Sequence, residues 1–200
     1  MHSVQFDKDP SGLSHGGVKV QKIPDDWVSL LKEQVTPEIM MLAKTPGESG
    51  AERGWKNDVI FSVGHELEEY HKNTNPGEHK QNLNVYRHYG WNRHPDFPPI
   101  LQKMMDHLDC NNISMFMSME GICNGSLTWH VDDYHVWAFN IEGETTWEYF
   151  SLLTGKIESV RLKPYENIIT MSSRVSHRVI IHTETRASIS MIQPYTPKHT

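Results

Sequence analysis

Residues 126–150 read SLTWHVDDYHVWAFNIEGETTWEYF and decide the fold class of this chain of 200 residues. The stretch holds three short runs of β-forming residues, and Glu142-Gly143 is a plausible turn before the third run. Five similar runs surround it, with no helical pattern between them. The eight predicted strands cover residues 113–119, 126–132, 135–141, 145–150, 156–162, 167–171, 176–182 and 186–192. Eight short strands at this spacing predict a mainly β protein, either a sandwich or a barrel.

The part of the chain before these strands has helical periodicity. Helix starts are predicted near Pro24, Thr36 and Asp96, each beside proline and acidic residues that favour a first turn. A short strand is predicted at 59–63, and one or two helical turns at 66–72. We expect a single domain, 1–200, with a loosely held arm at 1–22, a mostly helical extension at 23–110 packed on the sheets, and a β core at 111–193.

Composition narrows the function classes. Hydrophobic residues make up 37% and charged residues 22%, as in a globular protein. The formal net charge of -6 and the lack of a long basic run argue against nucleic acid as a partner. Cys110 and Cys123 match neither a zinc motif nor a disulfide framework, and no apolar stretch has the length of a signal peptide or a membrane helix. We therefore expect a cytoplasmic protein that does not contact a membrane.

The segment Trp129-His130-Val131-Asp132-Asp133 contains a candidate pair of metal ligands. Residues two apart on a strand project from one face, so the imidazole of His130 and the carboxylate of Asp132 can reach one ion. His177, in the seventh predicted strand, is the candidate third ligand. Two histidines and one carboxylate form the facial triad of non-haem iron(II) oxygenases, which leaves open positions on the metal for a co-substrate and O2.

The last predicted strand contains a candidate anion site. Arg186 and Ser188 lie two residues apart and so share one face of that strand. A guanidinium fork suits a carboxylate, and a hydroxyl adds a further hydrogen bond. The pair is therefore predicted to hold the far end of a dicarboxylate co-substrate.

Taken together, the metal and anion residues resemble the motif set of the iron(II)/2-oxoglutarate-dependent dioxygenase superfamily. The residues that carry the resemblance are His130, Asp132, His177, Arg186 and Ser188. The resemblance covers about residues 111–193 and implies a double-stranded β-helix, a cupin-like jelly roll. It implies Fe(II) as the metal, O2 as the oxidant and 2-oxoglutarate as the co-substrate. Asn140, on the strand after the ligand pair, is a further candidate contact to 2-oxoglutarate. The implied reaction is hydroxylation of a substrate, with release of succinate and CO2.

A narrower resemblance is to the JmjC and cupin-like hydroxylases. Residues 130–137 and 143–147 are similar to their His-x-Asp-x-x-Asp-Val-Phe and Gly-x-Lys/Arg-x-Trp segments. This chain has His135 in place of the second Asp, and Thr145 stands where those enzymes have a basic anchor for 2-oxoglutarate. Arg186 would therefore take over the anchoring. This resemblance implies hydroxylation of an amino-acid side chain in a protein or peptide, and a small metabolite is the alternative substrate.

Other interpretations remain open at this stage. The alternatives to a 2-oxoglutarate enzyme are a metal-binding cupin enzyme without that co-substrate and a non-catalytic jelly-roll binding module. A nucleic-acid demethylase would have another arginine soon after Arg186, and this chain has none. Arg186 could instead pair with Glu184 at the surface. The cluster Arg87, Trp91, Asn92 and Arg93 could contact substrate or cap a loop, and the oligomeric state is open.

Overall fold

The structure is a computed structural model that describes residues 17–42, 85–89, 91–93, 96–118 and 129–194. The helices are α1 (Asp25–Gln34), α2 (Pro37–Leu42) and α3 (Pro99–His107), with a short 3-10 helix at Trp91–Arg93. The strands are β1 (Val18–Lys22), β2 (Val85–Tyr89), β3 (Asn112–Ser118), β4 (Tyr134–Glu142), β5 (Thr145–Ser151), β6 (Lys156–Leu162), β7 (Asn167–Met171), β8 (His177–Ile181) and β9 (Arg186–Pro194). Within these ranges, no helix has the length and apolarity that crossing a membrane requires.

The strands form two antiparallel sheets. The larger sheet has the order β1-β7-β4-β9-β3-β2, and the smaller sheet has the order β6-β5-β8. From β4 to β9 the chain passes repeatedly between the sheets, so strands that follow one another often lie in different layers. This winding is that of a double-stranded β-helix, which confirms the predicted jelly-roll class.

Seven of the eight predicted strands are present, although Met119, the last residue of the first one, lies outside the described residues. Strands β6 and β7 have the predicted bounds, and the others differ by one or two residues at an end. The second predicted strand is described only for residues 129–132. There His130 makes an isolated bridge to His177, and the chain then bends at Asp133. Within residues 129–132, β pairing is therefore limited to a single residue pair with β8, where a continuous strand was predicted.

The N-terminal part contributes more β structure than the sequence indicated. Val18–Lys22 was expected in a loose arm but forms β1, which pairs with β7 along its whole length. The reason is a short alternation of apolar and polar residues that places Val18 in the core between the sheets. Strand β2 adds to the other edge of the large sheet, beside β3. The predictions at 59–63 and 66–72 lie outside the described residues.

Two apolar clusters hold these layers together. One lies between the large sheet and the helices, where α3 buries Ile100, Leu101, Met104 and Met105. This apolar face of α3 is thus part of the core, and the extension packs on the β unit as expected. The other cluster lies between the two sheets and surrounds Trp147. Packing on both faces of the large sheet fixes the positions of β4 and β9, which contain most of the candidate anion site.

Candidate metal centre

Three predicted ligands converge at one end of the β8 strand. One potential ligand atom from each of His130, Asp132 and His177 lies within 4.8 Å of the others. The backbones of His130 and His177 exchange two N–H to O=C hydrogen bonds of 2.9 Å, which bring the two imidazoles side by side. Asp132 Oδ2 lies 3.6 Å from His177 Nε2. These three residues, called the metal cluster below, have the donor set of a facial triad.

The structure determines which nitrogen of His177 faces the cluster. Its Nδ1 lies 2.9 Å from the carbonyl oxygen of Val175. A carbonyl can only accept, so Nδ1 carries the hydrogen and Nε2 keeps its lone pair towards Asp132. Burial, together with a smaller effect of His130, lowers the pKa of His177 to about 4, even though the Val175 carbonyl and Asp132 act to raise it. At neutral pH the imidazole is therefore uncharged and able to bind a metal.

Neighbouring groups hold the ligands in place. The indole of Trp147 stacks on the ring of His177 at a centroid distance of 5.6 Å. Arg174, in the left-handed conformation at φ 67°, donates its N–H to the carbonyl of Asp132 at 2.7 Å. His135 accepts a hydrogen bond from Ser173 N–H through Nδ1, at 3.0 Å, and is buried. His135 therefore supports the connection between β7 and β8 and is outside the cluster.

The second candidate site lies on β4, β5 and β9 and is buried. Arg186 is 3% exposed, so it is not the surface partner of Glu184, which is exposed. Its Nε donates to Ser188 Oγ at 2.8 Å, while its Nη1 has no hydrogen-bond partner among the described residues. Burial lowers the pKa of Arg186 to about 10, so the group stays charged at neutral pH. A buried cation with no described carboxylate partner is a suitable site for an anion.

Hydrogen bonds connect Arg186 to the predicted contact Asn140. Ser188 Oγ donates to Asn140 Oδ1 at 2.7 Å. The amide nitrogen of Asn140 lies 3.0 Å from Thr145 Oγ1, the residue at the position of the JmjC basic anchor. These four residues, called the anchor network below, are all buried. The sequence indicated Arg186, Ser188 and Asn140, but it noted Thr145 only as a departure from the JmjC pattern.

Sequence reasoning missed the supporting roles of Val175 and Gly143. Val175 acts through its carbonyl oxygen, which every residue type has, so no sequence signal could have found it. Gly143 was predicted as a turn, and its φ of 69° agrees with that. A Cβ placed on Gly143 would lie 3.1 Å from the Cα of Arg186, so the glycine allows β9 to pass close to this turn. Of the earlier polar-aromatic cluster, Trp91 is buried in the core, and Asn92 donates to the carbonyl of Asn111 at 3.5 Å.

No protein-family model and no curated protein sequence match the chain. Solved structures similar to part of it include the Escherichia coli ribosomal oxygenase YcfD, with 16% identity over 62% of this chain and 36% of that chain, and a TM-score of 0.46. Bacillus subtilis oxalate decarboxylase matches with 12% identity over 55% of this chain and 25% of that chain, and a TM-score of 0.41. Peruvianin-I from Thevetia peruviana latex matches with 13% identity, 56% and 63% coverage, and a TM-score of 0.40.

The chain spans less than two thirds of the length of each of these proteins. Its own strand order and its metal cluster define the class: a cupin-like, double-stranded β-helix protein with a candidate metal site. The double-stranded β-helix that the resemblance to the iron(II)/2-oxoglutarate dioxygenases implied is thus confirmed as the fold.

Proposed function

We propose that this protein is an iron(II)- and 2-oxoglutarate-dependent dioxygenase that hydroxylates an amino-acid side chain of a protein or peptide, or a small metabolite. The observation that supports it best is the pairing of two features in one β unit. One is a cluster of two histidines and one carboxylate. The other is the buried Arg186, whose Nη1 has no hydrogen-bond partner among the described residues.

The metal cluster would hold Fe(II) through His130, Asp132 and His177. Neutral imidazoles and a carboxylate suit this ion, and three protein ligands leave positions for other groups. When bound, iron supplies the activation of O2 that couples decarboxylation of 2-oxoglutarate to oxidation of a substrate C–H bond. The chain contributes orientation: the Val175 carbonyl fixes the tautomer of His177, and the Trp147 indole limits rotation of its ring.

The anchor network would hold the distal carboxylate of 2-oxoglutarate. Arg186 keeps its charge, and its Nε is fixed by Ser188, so the Nη atoms are available to a carboxylate. The aromatic ring of Phe116 lies 5.8 Å from the guanidinium carbon and restricts the site on one side. Exclusion of water strengthens the attraction between this cation and an anion.

Two features oppose a cupin enzyme without 2-oxoglutarate. Such enzymes usually begin their ligand set with two histidines, whereas this chain has His130 and Asp132. The second feature is the buried Arg186, which has no described carboxylate partner and suits an anionic co-substrate. The net charge of -6 supports a substrate other than nucleic acid.

A cytoplasmic location is part of the proposal and is supported by the two cysteines, which fit no disulfide framework.

The test is anaerobic binding of 2-oxoglutarate to the Fe(II)-loaded protein. A weak visible charge-transfer band should appear in the natural chain and be absent in Asp132→Ala. In Arg186→Ala, the concentration of 2-oxoglutarate that gives half of the maximal band intensity should rise about 100-fold, as expected for loss of a buried charge pair. Co(II) binding should be retained. Arg161→Ala is the matched control, because that arginine is exposed and pairs with Glu144.

A natural chain without the band would contradict the proposed function and favour a binding module or another cupin enzyme. Equal affinity in Arg186→Ala would contradict the anchor. If both results are as expected, peptides and metabolites can be screened for substrate-stimulated formation of succinate, which distinguishes the two proposed substrate classes.

A further inference from the structure

Asn140 lies where the two sheets are tied together by side-chain hydrogen bonds. It is 1% exposed and stands opposite Ser188 in the register of β4 with β9. The register shifts immediately after it, between Asn140 and Glu142, so one extra residue is inserted in β4 there. Such bulges redirect nearby side chains. Asn140 therefore faces the anchor network from a locally irregular position in an otherwise regular strand.

The hydrogens of Asn140 are all committed to the protein. Its Nδ2 has two hydrogens and lies near three acceptors: Thr145 Oγ1 and the Leu162 carbonyl, each at 3.0 Å, and the Gly143 carbonyl at 3.2 Å. The two carbonyls cannot donate, so they fix the amide with its nitrogen towards them. The amide oxygen Oδ1 must then face Ser188, and no amide hydrogen is left for a ligand.

This orientation sets the direction of the bonds that lead to Arg186. Ser188 has one hydroxyl hydrogen, and it goes to Asn140 Oδ1 at 2.7 Å. The Ser188 oxygen is then free to accept from Arg186 Nε at 2.8 Å. The guanidinium is thus held at Nε by a neutral group. Its full positive charge remains for a ligand at the Nη atoms.

We propose that Asn140 is a positioning residue for the anion site: through Ser188 it orients the guanidinium of Arg186, and it does not touch the co-substrate. This rests on the proposed function, which makes 2-oxoglutarate the ligand of that site. It changes the expected role of Asn140 from a contact to a support. It also gives Ser188 a second role, because its only hydrogen is used within the protein.

The test measures binding of 2-oxoglutarate to the Co(II)-loaded protein by calorimetry, without turnover. Asn140→Ala should weaken binding about tenfold, as expected for loss of one support to a charged group, with Co(II) affinity unchanged. Ser188→Ala should cause a similar loss, and the double variant should bind no more weakly than either single variant, because one chain of bonds is broken in each case. Ser151→Ala is the control for Ser188→Ala: Ser151 is also a buried strand serine, but its hydroxyl accepts from the Thr154 N–H and lies outside the anchor network, so the affinity should stay within about twofold.

A second readout follows Arg186 directly. Exchange of the Nε hydrogen with solvent, seen by ¹⁵N NMR, should be faster in Asn140→Ala and Ser188→Ala than in the natural chain or in Ser151→Ala. Asn140→Ala also removes the amide donor to the Gly143 and Leu162 carbonyls, and if that variant does not fold, Ser188→Ala decides alone.

Natural affinity in Ser188→Ala, additive losses in the double variant, or an equal loss in Ser151→Ala would each overturn the positioning role. Failure of the proposed function looks different. In that case the natural chain binds no 2-oxoglutarate, or Arg186→Ala binds it as tightly as the natural chain does.

Discussion

The metal cluster and the anchor network are built in opposite ways. The ligands His130 and Asp132 are only partly buried, and they lie on a segment joined to β8 by one bridge. The anchor network is buried, stands on β4, β5 and β9 and is bonded internally. The comparison shows that His130 and Asp132 make few of the contacts that stabilise the fold, whereas the residues of the anchor network belong to the buried core. Changes at His130 and Asp132 should therefore remove function alone, and changes at the network should also reduce stability.

The largest expected effect is at the metal cluster. Asp132→Ala should lower Co(II) affinity by more than about 100-fold, beyond what loss of an outer partner usually costs. The side chain of Asp132 is 21% exposed, so the free energy of unfolding of the metal-free protein should change by less than about 1 kcal/mol. Visible absorption of Co(II) and urea unfolding measure the two quantities. Retained Co(II) affinity would place the metal elsewhere.

A substitution beside the anchor network should lower the free energy of unfolding. Gly143 has a φ of 69°, and a Cβ there would collide with the Thr185 carbonyl and the Thr183 hydroxyl. Gly143→Ala should lower the free energy of unfolding by about 3 kcal/mol or more, and weaken binding of 2-oxoglutarate. Gly155→Ala is the control: its φ is 65°, but an added Cβ meets nothing within 4 Å, so about 1 kcal/mol is expected. Similar losses in both variants would contradict the tight packing at Gly143.

His177 is the member of the metal cluster that affects the stability of the fold, and its effect depends on pH. The pKa of His177 is about 4 in the folded protein and near its ordinary value of 6.5 when unfolded. Below 6.5 the unfolded chain takes up the proton first, so the free energy of unfolding falls as pH drops from 6.5 towards 4. The loss of unfolding free energy reaches about 3 kcal/mol at the low end of this range. Urea unfolding of the metal-free protein at pH 7, 6 and 5 measures it, and His177→Gln should lose this part of the pH dependence.

The smallest effect is expected at Arg174, which supports Asp132 through its backbone only. Arg174→Gly keeps the N–H and permits the left-handed conformation at φ 67° without strain. Its free energy of unfolding should stay equal or rise by up to about 1 kcal/mol, with Co(II) affinity unchanged. Tyr165→Gly, also at positive φ, should lose stability because the Tyr165 ring packs against the core. A large loss of Co(II) affinity in Arg174→Gly would show that the side chain matters.

Much of the fold could be predicted because local periodicity follows the pairing of strands. The bounds of β6 and β7 and the helical stripe of α3 were visible in the sequence. Strand β1 was missed, because five residues next to a glycine-containing arm give a weak signal and its pairing partner β7 lies far along the chain.

The sequence by itself determined the chemical groups of both sites: two imidazoles, one carboxylate, one guanidinium and the hydroxyl and amide beside it. Only the tertiary structure decided how deeply these groups are buried and which hydrogen bonds they form. It buried Arg186 without a described carboxylate partner, turned the hydrogen of Ser188 towards Asn140, and set the Val175 carbonyl against His177. The physical reason is that burial and the direction of a hydrogen bond depend on groups from other strands. A backbone carbonyl, in particular, leaves no trace in the identity of its residue.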